Sequence, residues 1–136
     1  MTDLDETLTK GENIATAAVE ASKGENIAQI TDLLVQLASI SGTINVELFK
    51  SHTRKERAKA DAEDAKTSAT WADLGAGGTA AHAEVVGKVK AMAAVKLLRA
   101  ADENYRYIKT FRDNYQVIIE VIRSRVSALK TEQKNL

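Results

Sequence analysis

Ten consecutive residues, Lys50-Ser51-His52-Thr53-Arg54-Lys55-Glu56-Arg57-Ala58-Lys59, hold five bases and one acid. So dense a positive run can neutralise several phosphates. Lys50, Arg54, Lys55, Arg57 and Lys59 are therefore the candidate nucleic-acid contacts, addressed to phosphates without base preference. The same run also reads as a charged helix face that keeps a long helix in solution. Trp71, the one tryptophan, offers a ring on which a base can stack, or a plug for the end of a helical hairpin. Arg123, Arg125, Lys130 and Lys134 form a second basic group, and bases in a helix's last turns complement its dipole. Arg106, Lys109 and Arg112 repeat at three-residue steps; they line a face between subunits or face water.

Other chemistry finds no residues to carry it. The two histidines, His52 and His82, belong to no His-Glu-x-x-His or Glu-x-x-His pattern. His82-Ala83-Glu84 matches part of a zinc deaminase signature, but that signature needs cysteines and the chain has none. Without cysteine there is no disulfide, no thiolate zinc site and no thiol nucleophile. Gly75-Ala76-Gly77-Gly78 follows a helical pattern rather than a strand, and no Gly-Lys-Ser/Thr occurs, so it is not a phosphate loop. Glu63 and Asp64 read as solvated helix surface. No catalytic residue, metal or cofactor is assigned, and the chain reads as a non-enzyme.

The elements that position the basic run are helical. The 136 residues include no proline, so the strongest helix breaker is missing. From Ile27 a heptad seam runs in steps of three and four: Ile27, Ile30, Leu34, Leu37, Ser41, Ile44, Leu48, Ser51, Lys55, Ala58, Ala62, Ala65, Ala69 and Ala72. Its first half is aliphatic and its second half alanine. Within a helix expected over 25–74, the segment from 27 to 73 would span about 70 Å at ~1.5 Å per residue and needs a partner of similar length. The glycine-rich turn at 75–79 and the N-cap candidate Thr79 introduce that partner, a helix over 80–132. Its expected seam is Val85, Val89, Met92, Val95, Leu98, Tyr105, Ile108, Phe111, Tyr115, Ile118, Ile122, Val126 and Leu129.

Around Tyr115 to Ile122 this second helix is apolar on more than one face, which a two-helix hairpin cannot cover. Either the N-terminal helix or another subunit must. The expectation taken here is a homo-oligomer with Tyr115, Ile118, Ile122, Val126 and Leu129 at its interface.

The N-terminal stretch repeats one hexapeptide. Lys10-Gly11-Glu12-Asn13-Ile14-Ala15 recurs as Lys23-Gly24-Glu25-Asn26-Ile27-Ala28. The glycines weaken a helix, and Ser22 with Glu25 fits a capping box, so a short acidic helical arm over 1–22 should break near Lys23-Gly24. Net charge is zero but uneven: residues 1–32 hold seven acids and two bases, residues 33–136 twelve acids and seventeen bases. No apolar run approaches the ~20 residues of a membrane helix, and the acidic start is unlike a signal peptide. A cytoplasmic protein without membrane contact is expected.

Over residues 92–130 the sequence resembles the UvsY-type recombination mediators of tailed phages. Asp102, Tyr107, Asp113, Glu120 and Ile122-Arg123-Ser124-Arg125 carry the resemblance, the last being similar to an Ile-Lys-Ser-Arg element of that family. Those proteins assemble into rings, bind single-stranded DNA, and help load a RecA-like recombinase onto strands coated by single-strand-binding protein. The resemblance implies a C-terminal helix used for oligomerisation and a basic helix used for single-stranded DNA.

These readings combine into one expectation. The chain is all-α, a single domain over 1–136: a short N-terminal helix and a long, coiled-coil-like antiparallel hairpin that forms a homo-oligomer. It acts as a phage-type, single-stranded-DNA-binding accessory in recombination or replication, in the host cytoplasm, with a recombinase and a single-strand-binding protein as partners. The alternative is a helical scaffold or inhibitor that works through protein contacts alone, which the acidic N-terminus and zero net charge favour.

Overall fold

The structure, a computed structural model, describes residues 3–135 and is all-helical over them. Its elements are α1 (Asp3–Ser22), α2 (Ile27–Gly75), α3 (Ala80–Lys90) and α4 (Met92–Lys134). The arm expected over 1–22 is a 20-residue helix; residues 1 and 2 lie outside the described ones. The helix expected over 80–132 is divided at Ala91, whose N–H still donates to Gly87 O at 3.1 Å. The chain divides into two compact units. Unit 1 joins the residues up to Leu48 with those from Ile108 onward, and unit 2 is Phe49–Tyr107.

Unit 1 holds the aliphatic core. Leu8, Ala15 and Ala18 of α1, Ile30, Leu37, Ile40 and Ile44 of α2, and Ile108, Tyr115, Ile119, Ile122, Val126 and Leu129 of α4 are buried together. The buried face of α1 is small, and Gly11 lies within it. A Cβ there would stand 3.3 Å from Ile40 Cγ2 and 3.4 Å from the Tyr115 ring, so α1 packs closely here and a side chain at position 11 would require Ile40 to give by a few tenths of an ångström. Gln116 Nε2 donates to Ser41 Oγ at 2.8 Å, tying α4 to α2. One 18-residue window of α2 is long and apolar enough, by length and composition alone, to cross a membrane; Ile30, Leu37, Ile40 and Ile44 of this helix are buried in unit 1.

The two copies of the hexapeptide fold differently. The first lies inside α1. The second crosses the break: Gly24 N–H donates to Ala21 O, and Asn26 caps α2, its Oδ1 accepting from Gln29 N–H at 3.1 Å. The capping box expected from Ser22 and Glu25 does not form. Ser22 Oγ instead donates to Val19 O at 2.6 Å, at the end of α1. The carbonyls left open there are met from α4: Arg125 Nε donates to Ser22 O at 2.9 Å and Nη2 to Gly24 O at 3.3 Å. A cation at a helix C-terminus meets both its bare carbonyls and its dipole.

Unit 2 is built on small residues. Its buried positions include Ser51, Ala62, Ala83, Gly87 and Ala91. A Cβ on Gly87 would collide with Thr70 Oγ1 and come within 2.9 Å of Lys66 O, so the α3 backbone sits directly on α2. The expected seam fails here: Val85, Val89, Met92 and Val95 are exposed, and Ala83, Gly87 and Ala91 face inward in their place. At so short a separation only the small set fits between the helices. The turn has its own locks. Gly77 adopts φ +92°, a conformation that favours glycine. Gly78 N–H donates to Asp73 O, Thr79 Oγ1 accepts from His82 N–H at 3.2 Å, and His82 Nδ1 lies 2.8 Å from Asp73 Oδ2.

Two outcomes follow for stability. Arg125→Ala exposes the end of α1 and should cost about 1–3 kcal/mol, with faster amide exchange across Asp3–Ser22; unchanged melting and exchange would show that water replaces the guanidinium. Gly87→Val overpacks the α2–α3 contact and should cost at least about 1–3 kcal/mol in thermal unfolding; a neutral result would mean the helices can part without loss.

Candidate nucleic-acid interface

The basic run occupies nearly three turns of α2 in unit 2. At about 100° per residue, its members cannot share one face. Ser51 is buried, and Lys55 and Ala58 are half-buried on the inward side. Lys50, Arg54 and Arg57 fall at steps of four and three, on an outward stripe, and all three are exposed. Phe49 and Thr53 lie beside them; the Phe49 ring is 71% exposed. Lys59 is exposed too, but nine residues beyond Lys50, which turns it roughly half-way round the helix.

Lys55 has another task. Its Nζ lies 3.3 Å from Asp102 Oδ1 and 4.8 Å from the centroid of the Tyr105 ring. Asp102 Oδ2 also binds Arg106 Nε at 3.0 Å, and Tyr105 leans on His52 with ring centroids 5.4 Å apart. Lys55 therefore links α2 to α4 within unit 2, and a phosphate would have to displace a carboxylate to reach it. No ion pair engages Arg54, Arg57 or Lys59 among the described residues. The outward stripe is thus a shorter site than the sequence run: Lys50, Arg54 and Arg57, with Phe49 as an aromatic surface. Phe49 carries no charge, so only its place next to Lys50 marks it in the sequence.

Trp71 does not close the end of a core. It is 69% exposed, beside a cleft lined by Glu63, Lys66, Thr67, Thr70 and Glu84. Two carboxylates there work against a phosphate backbone. Of the remaining basic residues, Arg106 and Arg112 are paired with Asp102 and Asp113, and Arg125 holds the end of α1.

Four of the five residues expected at an oligomer interface, Tyr115, Ile122, Val126 and Leu129, are buried in unit 1, and Ile118 packs against them half-buried. The cover of those four comes from within the chain. Burial also pushes the Tyr115 phenol up to about 12, and its hydroxyl has no hydrogen-bond partner among the described residues. Among the described residues no cluster of three His, Cys, Asp or Glu side chains is disposed to hold a metal.

No protein-family model matches the chain, and neither does any curated protein or solved structure.

Ile122→Asp separates the two assignments of the C-terminal helix. An intramolecular core predicts a loss of at least about 3 kcal/mol and an unfolded or molten chain. A folded, smaller species in light scattering would return Ile122 to an intersubunit surface.

Proposed function

We propose that the chain is a non-enzymatic accessory protein that binds single-stranded DNA along the outward stripe of α2. The observation that carries this reading is the grouping of Lys50, Arg54 and Arg57 on one exposed face, with the exposed Phe49 ring to one side of it, about 100° round the helix from Lys50. Cations spaced along a helix track a phosphate backbone, and an exposed ring stacks on any base. Unit 2 also has the favourable charge, eleven bases against eight acids, while the rest of the chain holds eight bases and eleven acids. The resemblance to UvsY-type mediators makes recombination or replication in a phage-infected cytoplasm the setting, with a recombinase and a single-strand-binding protein as partners.

A coiled-coil-like antiparallel hairpin and a homo-oligomer belong to the same proposal. The hairpin is supported by the pairs Lys55–Asp102 and His82–Asp73, in which the later residue of α2 meets the earlier residue beyond the turn. For the oligomer, Val117 and Val121 stand one turn apart on α4 and exposed. They, rather than the buried Tyr115, Ile122, Val126 and Leu129, would meet a second copy.

Anisotropy of a labelled oligothymidine across a salt series tests the DNA reading. The wild-type chain should bind at low salt and weaken as salt rises. Arg54→Glu with Arg57→Glu should lower affinity at least about tenfold and flatten the logarithmic salt slope by about 1.4, two contacts at ~0.7 each. Absence of binding at low salt, or identical binding by the variant, rejects this surface.

A second reading, a helical protein-interaction module, has its own observation. Val85, Val89, Met92 and Leu97 are all exposed in unit 2, an apolar surface that phosphates do not use.

A further inference from the structure

The helices of unit 2 are only partly covered. Among the largest fully buried side chains, Ile30, Leu37, Ile44, Ile108 and Ile122 belong to unit 1, and Ser51 alone belongs to unit 2. The difference has a simple source. In unit 1 the α2 and α4 segments are covered by a third helix, α1, which buries Leu8, Ala15 and Ala18 against them. α1 is strongly acidic, with Asp3, Asp5, Glu6, Glu12 and Glu20 against one base, Lys10. Unit 2 has α2, α3 and the start of α4 and no such cover.

In its place unit 2 has an open groove of about 420 Å³. The floor is Ala62, Ala91, Met92 and Val95, and the rim is Lys66, Lys88, Lys96 and Arg99. No carboxylate lines it. Lys88 is paired with Glu84 at 3.3 Å; among the described residues no ion pair engages Lys66, Lys96 or Arg99. Met92 and Val95 remain exposed although both are apolar.

We propose that this groove docks an acidic amphipathic helix of a partner protein. The floor asks for aliphatic side chains at helical spacing, and the rim asks for carboxylates on both flanks of the inserted face. Nucleic acid fits the rim but not the floor, which offers no ring for a base to stack on. The chain's own α1 has suitable chemistry, but its apolar face is spent in unit 1 and its end is held by Arg125. The site is independent of the DNA stripe, because it uses none of Lys50, Arg54 or Arg57.

The test uses the full chain and a fluorescein-labelled helical peptide of about 20 residues, with leucines at helical spacing flanked by glutamates. A scrambled peptide of the same composition is the control. The ordered peptide should bind, gain helicity, and exceed the scrambled one by at least about tenfold, or ~1.4 kcal/mol. The triple reversal Lys66→Glu, Lys96→Glu, Arg99→Glu should remove that advantage. Met92→Asp with Val95→Asp should do the same without moving the melting temperature, since both side chains are exposed. Arg54→Glu with Arg57→Glu should leave peptide binding unchanged, so failure of the DNA reading does not carry over. Equal binding of the scrambled peptide, or none at low salt, overturns the proposal. So does displacement by oligothymidine that depends on Lys66, Lys96 and Arg99, which would make the groove a nucleic-acid site. Light scattering that shows self-association lost on Met92→Asp would assign the groove to a second copy and equally overturn it.

Discussion

A pair of helices can bury one stripe on each, and any helix that is apolar beyond that stripe needs a third surface. This constraint governs unit 1. Tyr115, Ile119 and Ile122 of α4 exceed what α2 can cover, and α1 supplies the remainder. Its small face, with Gly11 against Ile40 and the Tyr115 ring, lets it lie close enough to exclude water. The covered area is aliphatic, so it contributes burial energy at roughly 25 cal/mol per Å². Arg125 then fixes where α1 stops.

Unit 2 obeys the same constraint with the opposite solution. Close backbone approach at Gly87 leaves no room for large side chains between α2 and α3. Val85, Val89 and Met92 are therefore turned outward, and the unit's interior is made of alanine, glycine and serine. Small residues bury little area, so this contact depends on polar links: Lys55 with Asp102, His82 with Asp73, and Thr79 at the start of α3. The surface left bare is where a partner has something to gain.

The α2 seam was legible residue by residue. Ile30, Leu37, Ser41, Ile44, Ser51 and Ala62 are buried in the predicted steps, and only the last member, Ala72, is exposed. A long helix with one continuous inward seam produces a clean period; Ile40, off that seam, is buried against α1 instead. The α3 seam was misread because periodicity weights the bulkier side chain, whereas helix separation selected the smaller one. The break after α1 was legible as a break but not as a cap. The same six residues make a helix interior in one copy and a helix start in the other, so tertiary contacts decide between them: Gly11 is packed against Ile40 and Tyr115, while Gly24 O is claimed by Arg125.

The candidate site shows the limit of counting charge along a chain. Five bases in ten residues look like one patch, but the helix distributes them around its circumference. Lys55 is drawn inward by Asp102, which lies far away in sequence and gave no local signal. Lys59 points to another side of α2. What remains outward is a stripe of Lys50, Arg54 and Arg57, and its chemical character is set as much by the uncharged neighbour Phe49 as by the charges. The exposed phenyl ring adds apolar surface beside a face that is otherwise charged. A base stacked on that ring would remove apolar surface from water and place its own phosphates within reach of the three cations, so one ligand satisfies both features of the stripe.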